Sequence, residues 1–245
     1  MTDKKEKLPK SAIIWRGASL FTGRPIQVVL TGIDLKTANE KTGAMVQASI
    51  VRQEGNPTYD YGTVRERDIC GDCPLSGPYE TRACYVRFLA FRLGEHTHAY
   101  PQISLDDAAR AVEEKPVRIG AFGDPAAVPY EVWAVLLSRV HTWTGYTHAW
   151  RTCDDRFKRI VMASVETRGG ARLAHARGWR TFRVKRPDFD AYLGEIVCPA
   201  TMHKVQCVKC GLCSGALYRA SNIVIDAHGS GANNLLRITQ REFNL

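Results

Sequence analysis

Apolar residues fall into two rhythms along the chain. Near the N-terminus they come in short runs bounded by small or polar residues, first Pro25-Ile26-Gln27-Val28-Val29-Leu30-Thr31-Gly32 and then Met45-Val46-Gln47-Ala48-Ser49-Ile50-Val51. Runs of this length, rich in β-branched residues, predict strands. From Ser104 onward, strand and helix signals alternate. Ser104, followed by Asp107, predicts an N-cap opening a helix to about Glu114. Val117 to Phe122 predicts a strand closed by Gly123-Asp124-Pro125. Within residues 129–140, Val132, Trp133, Leu136, Leu137 and Val140 recur at helical spacing. Strands are expected over 142–147 and 159–165, and a short helix over 169–177 that Gly178 stops. Strands at 181–184, 195–197 and 222–225 complete the pattern.

Alternating strands and helices predict a parallel sheet. A count of about eight strands makes a parallel (β/α) barrel, complete or partial, the expected α/β architecture, with an open doubly wound sheet as the alternative. The 245 residues fit one domain over 11–245, preceded by a solvated, disordered tail at 1–10. Residues 52–84, rich in Gly, Pro and charge, read as a long loop. Metal-binding insertions are expected at about 69–86 and 198–214. Chemically capable residues recur where strands end, at Asp124, His148, Glu166, Cys198 and Asp226 with His228. In parallel α/β folds the carboxyl ends of strands form the active-site face.

Charge and cysteine usage narrow the class. A formal net charge of +9 favours polyanionic partners, nucleic acid or nucleotide first. The apolar runs are too short to span a bilayer. The charged N-terminus has no apolar stretch behind it, so a cytoplasmic location is expected. In a reducing compartment, eight cysteines with CxxC spacing point to metal or redox chemistry rather than disulfides.

The strongest signal is C-terminal. Cys198-Pro199 precedes Cys207, Cys210 and Cys213, and four thiolates suit tetrahedral zinc or an iron–sulfur cluster. His203 or His228 can replace one cysteine, and Lys209 can balance charge. A second set is Cys70, Cys73 and Cys84. Three thiolates hold either a cluster with one open iron or a zinc with an open position, and His96 or His98 would close the site as a structural zinc. Cys153 stands alone and reads as a small buried hydrophobe. Gly123 and Asp124 end one strand, where a ligand's backbone approach and a carboxylate grip coincide, and Ser164 with Glu166 end another. Tyr146, Thr147, His148 and Trp150 lie between them, with rings that either stack on a base or fill the core. Lys41-Thr42-Gly43 matches only part of a phosphate loop.

These motifs carry a resemblance. Their order resembles the phage "gene product 88" family, of unknown function, over residues 25–230: Asn39 to Gly43, CGDCP through Ala83-Cys84-Tyr85, Arg118 to Asp124 with Trp133, Gly145 to His148, Ala163 to Val165, CP through CVKCGLC, and Ala227-His228-Gly229. A wider likeness is to radical S-adenosylmethionine (SAM) enzymes. Cys84-Tyr85 and Gly123-Asp124-Pro125 look similar to their cysteine–aromatic and SAM-binding motifs, with Ser164 and Glu166 deeper in the site. Here a CxxC pair and a distant cysteine replace the compact CxxxCxxC of that family. The resemblance implies a cluster on Cys70, Cys73 and Cys84, SAM beside Gly123 and Asp124, and an auxiliary metal on Cys198, Cys207, Cys210 and Cys213. A third likeness is to tRNA-guanine transglycosylases and their phage DNA-modifying relatives. That one implies base exchange of a 7-deazaguanine, with Asp124 and Asp226 as the aspartate pair and zinc on Cys207, Cys210, Cys213 and His228. The expected function is therefore a radical-SAM-like enzyme modifying nucleic acid or nucleotide. The alternatives are base exchange with structural zinc, and a non-enzymatic zinc-stabilised protein binding nucleic acid or a host factor.

Overall fold

The computed structural model describes residues 9–36, 38–78, 81–84, 86, 94–192, 194–215, 220–228 and 231–235. Among the described residues, ten strands carry the fold: β1 (Ser11–Ala18), β2 (Pro25–Thr31), β3 (Val46–Arg52), β4 (Val117–Ile119), β5 (Trp143–Thr144), β6 (Tyr146–Thr147), β7 (Met162–Val165), β8 (Thr181–Lys185), β9 (Glu195–Val197) and β10 (Asn222–Asp226). They form two five-stranded sheets, ordered β1-β2-β3-β4-β5 and β6-β7-β8-β10-β9. The chain is thus a mixed α/β protein. From β3 onward every pairing is parallel, as expected. The two N-terminal pairings, β1 with β2 and β2 with β3, are antiparallel, which corrects the wholly parallel expectation. Gly23, at φ +73°, sits in the connection that returns β1 onto β2. The sequence also hid β1, because Arg16 and Gly17 break its apolar run.

The two sheets meet at one residue. Strands β5 and β6 are separated only by Gly145, whose N–H donates to Cys213 O at 2.9 Å while its carbonyl accepts from Met162 N at 3.0 Å. A Cβ on Gly145 would lie 2.5 Å from Ile119 Cγ1 and 2.9 Å from Val161 Cγ1. Gly145→Ala is therefore expected to destabilise the protein by about 1–3 kcal/mol through overpacking, read as a lowered urea midpoint. An unchanged midpoint would mean that the junction relaxes freely.

Three helices cover one face: α1 (Leu105–Ala111), α2 (Tyr130–Leu137) and α3 (Arg168–Ala176). The Ser104 cap is present, with its Oγ accepting from Asp107 N at 3.1 Å. The helix ends at Ala111 rather than Glu114, which lies at φ 57° and donates its N–H to Arg139 O. The expected strand over 117–122 stops at Ile119. Gly120 turns the backbone at φ +66°, and a Cβ there would meet the Pro125 ring at 2.6 Å. Only Met162–Val165 of the expected 159–165 run is strand, since Asp155–Arg159 forms a 3-10 turn.

Side chains alternate across the sheets, as the period of two requires. Val46, Ala48, Ile50, Val117, Ile119, Ala163 and Val165 join the helices in the main core, where Trp133 is fully buried. Met162, Phe182, Ile223 and Ile225 face the other way and pack with Cys198 and Cys213. Of the expected tail, residues 1–8 lie outside the described residues, while Lys10 O accepts a hydrogen bond from Ile33 N at 3.1 Å. Among the described residues, no helix is long and apolar enough to cross a membrane.

Candidate metal and ligand site

The face opposite the helices holds two adjoining cavities. The first, about 130 Å³, lies at the carboxyl ends of β4 and β6 and is lined by Cys70, Cys73, Cys84, Gly123, Asp124, His148 and Ser164, among others. The second, about 310 Å³, is lined by Cys198, Cys207, Cys210 and Cys213 together with Lys41 and Thr42, which precede β3. Arg118, Tyr146 and Phe182 line both. The loops therefore bring each cysteine set to a single space. Among the described residues, no group of three His, Cys, Asp or Glu side chains is drawn together closely enough to hold a metal ion as placed.

Asp124 is the structural centre of the first cavity's rim. Its carboxylate accepts from Ala126 N at 2.9 Å, Thr147 Oγ1 at 2.7 Å and His148 N at 2.8 Å. It thereby caps the Pro125–Ala127 turn and ties the end of β4 to the end of β6. Burial pushes its carboxyl above the usual range, opposed by the Thr147 hydrogen bond and by His148. Trp133 Nε1 donates to Pro125 O at 2.9 Å, so α2 pins the same turn. Gly123, at φ +77°, is required by close packing, since a Cβ would come within 2.9 Å of Ile50 Cβ. Ser164 is buried on the cavity wall.

The Cys70–Cys73 segment ends the one-turn helix Arg67–Cys70, where Gly71 at φ 57° reverses the chain. Asp124 N donates to Ile69 O at 2.7 Å, which docks this segment on the β4 turn. Burial pushes the Cys70 and Cys84 thiols up, and each also feels Cys73. Arg82 counters this at Cys84 and is held in a buried, two-pronged ion pair with Glu66. Its guanidinium also lies 3.9 Å from the centre of the Tyr61 ring. Neither Arg82 nor Glu66 was distinguishable from ordinary charged loop residues in the sequence.

His148 enters this cavity between a thiol and a carboxylate. It contacts the Cys73 side chain, and its Nε2 lies 3.1 Å from Glu166 Oε1. Although the side chain is 20% exposed, Nε2 is sealed from solvent, and neither it nor Glu166 Oε1 has a well-aligned hydrogen bond. Burial alone would lower the imidazole pKa, but Cys73 and Glu166 outweigh it and hold the ring's pKa well above its ordinary value. An outer groove of about 530 Å³ shares Cys70, Cys73 and His148 with the inner cavity and adds Phe21, Arg67, Arg151 and Cys153. Burial, then Asp124, pushes the Cys153 thiol up to about 12.

In the second cavity, Gly211 in the left-handed region closes the Cys207–Cys210 turn. Tyr146 and the Cys213 side chain lie close enough for each to shift the other's ionisation. Lys41 and Thr42 carbonyls accept from Cys207 N and Val208 N, each at 3.0 Å. Gly43 packs against Val208 so closely that a Cβ would lie 2.5 Å from Val208 Cγ1. Lys41-Thr42-Gly43 is thus a docking turn for the cysteine knuckle rather than a phosphate loop. Asp226 pairs with Lys185, and His228, exposed, contacts Asp226 O through Nδ1 at 2.8 Å. Neither lines any of these three cavities. His203, His96 and Lys209 are exposed, and His98 contacts Gln27 and Gly55 O away from the cysteines.

Compared with protein families, curated proteins and solved structures, the chain matches none.

Proposed function

We propose that the chain is a metal-dependent enzyme of radical-SAM-like type, built as a partial (β/α) barrel and acting on a nucleic acid or nucleotide. The observation that carries this is the convergence of Cys70, Cys73 and Cys84, from a loop with long spacings, on the one cavity that also holds Gly123, Asp124 and Ser164. The consecutive parallel order of β3, β4, the β5–β6 run, β7 and β8 supports a curled barrel wall, with this cavity at its carboxyl mouth, where such folds place their chemistry. The donor set fits a thiophilic metal: three thiols in one cavity and four in its neighbour. An iron–sulfur cluster held by three cysteines supplies one-electron chemistry to a bound cofactor such as SAM.

The chain's own residues divide the remaining work. Asp124 fixes the β4 and β6 ends, so its part is to shape the cofactor wall rather than to attack. Ser164 offers a polar contact on the cavity wall, while Glu166 lies outside the lining and faces His148. The outer groove carries Arg67 and Arg151 but also Asp154 and Asp72, which pairs with Arg67, so the polyanion reading rests on the chain's net charge of +9. Cys198, Cys207, Cys210 and Cys213 hold the second metal. Base exchange draws less support, because Asp124 is engaged by three internal donors and Asp226 by Lys185, with no shared cavity between them.

Anaerobically purified protein is expected to be brown, with iron and sulfide at about four or eight per chain. Replacing Cys70, Cys73 and Cys84 together by alanine should remove one metal site and leave the other. Colourless protein carrying zinc alone would move the assignment to a zinc-stabilised nucleic-acid-binding protein.

A further inference from the structure

Three cysteines leave one ligand position of a four-coordinate site unfilled. In sequence, the candidates to fill it were His96 and His98, which stand within fifteen residues of Cys84. The fold sends both elsewhere: His96 is exposed, and His98 is held by Gln27 at 3.2 Å and by Gly55 O at 2.7 Å. The histidine on the cavity wall comes from a strand end sixty-four residues beyond Cys84.

We propose that His148 is the fourth protein ligand of the Cys70, Cys73 and Cys84 site. This rests on the metal reading above. Three observations carry it. The imidazole lines the same cavity as all three thiols and contacts Cys73. Its Nε2, sealed from water, faces Glu166 Oε1 at 3.1 Å, so the imidazole is held between that carboxylate and Cys73. Its backbone is fixed, because His148 N donates to Asp124 Oδ2 at 2.8 Å and the adjacent Thr147 hydroxyl donates to the same carboxylate. Glu166, 3.1 Å from Nε2, is the carboxylate placed to orient the ring, the part that an outer-shell carboxylate plays for a metal-bound histidine.

The set Cys70, Cys73, Cys84 and His148 is a three-thiolate, one-imidazole site. Binding would draw in side chains that now line the cavity without meeting at one point. Imidazole is neutral and exchangeable where thiolate is charged, so a site of this kind can yield that one position to a ligand and keep its metal. Asp124 is then a positioning residue for the metal ligand as well as for the β4 turn.

The test is X-ray absorption at the edge of whichever metal the purified protein carries, zinc or iron, with metal content measured on the same samples. Wild-type protein is expected to show the outer-shell scattering of a coordinated imidazole. His148→Ala should lose that signal and bind the metal of this site at least about tenfold more weakly, since loss of an outer-shell partner alone costs about 10–100-fold. His148→Cys should keep full metal content while losing the imidazole signal, which separates ligation from folding. Wild-type protein with metal but no imidazole scattering, or an unchanged signal in His148→Ala, overturns the assignment and leaves the three-cysteine reading standing. Protein with no metal under anaerobic purification overturns both.

Discussion

Glu195→Ala is expected to cost the fold about 3–5 kcal/mol, the usual penalty for breaking a buried ion pair from one side. Arg183 and Glu195 are each only 2% exposed at the side chain. Arg183 donates through Nε to Oε1 at 2.8 Å and through Nη2 to Oε2 at 2.7 Å. Tyr192 N adds a third hydrogen bond to Oε2 at 2.9 Å, and the Tyr192 ring lies 3.9 Å from the guanidinium carbon. The pair reaches across β10, where Arg183 is level with Val224 and Glu195 with Asn222. It thus fastens edge strand β9, which delivers Cys198 to the second cavity. With Glu195 gone, the guanidinium keeps, among the described residues, the Asp190 carbonyl at 3.4 Å and the Tyr192 ring. Urea unfolding measures the loss. The double change Arg183→Met with Glu195→Met should recover most of it, since an apolar pair of similar volume avoids the desolvation of two charges. A single variant within about 1 kcal/mol of wild type would show that solvent reaches the pair.

Arg180→Met should be comparably damaging, for a different reason. Arg180 is 6% exposed and donates to four backbone carbonyls: Leu212 at 2.9 Å, Ser221 at 2.8 Å, Ala220 at 3.2 Å, and Ser214. Burial pulls its pKa below the ordinary arginine value, and Cys213 partly restores it. Leu212 and Ser214 flank Cys213 in the chain, so one guanidinium holds the segment that presents that thiol and ties it to Ala220 and Ser221 just before β10. Each acceptor left buried and unpaired costs about 1–3 kcal/mol, and the sum is expected to reach about 3 kcal/mol or more. Arg180→Lys keeps the charge but lacks the planar fork, and should fall between the two. Thermal unfolding together with metal content is the check. Full stability in Arg180→Met, with all metal retained, would show that the loop is held by its cysteines and not by this brace.

The strand and helix order from β3 to β10 was legible because parallel strands carry dense apolar runs and helices carry their own period. Ser104, Gly178 and the Val132 to Val140 stripe marked elements that are present. Strand β1 was not legible at all, and the direction of β2 was not, since a short strand reads alike whether its neighbour runs with it or against it. The two cysteine sets were legible as sets, and the structure gives each a cavity. What spacing could not supply was the company they keep. His148 is an ordinary strand-end residue until β6 is laid beside β7, which puts Glu166 at 3.1 Å. Arg82 and Arg180 look like any surface arginine among many, and only their burial with Glu66 and with a ring of carbonyls gives them away. Asp124 stood out in sequence as a chemically capable group, and its three hydrogen bonds make it a clamp.

Arg118, Tyr146 and Phe182 border both inner cavities. The two cysteine chambers therefore share part of their walls. A side chain that leans toward one chamber leaves the other, so their shapes are set jointly rather than separately. Whatever fills the first chamber therefore presses on walls of the second as well.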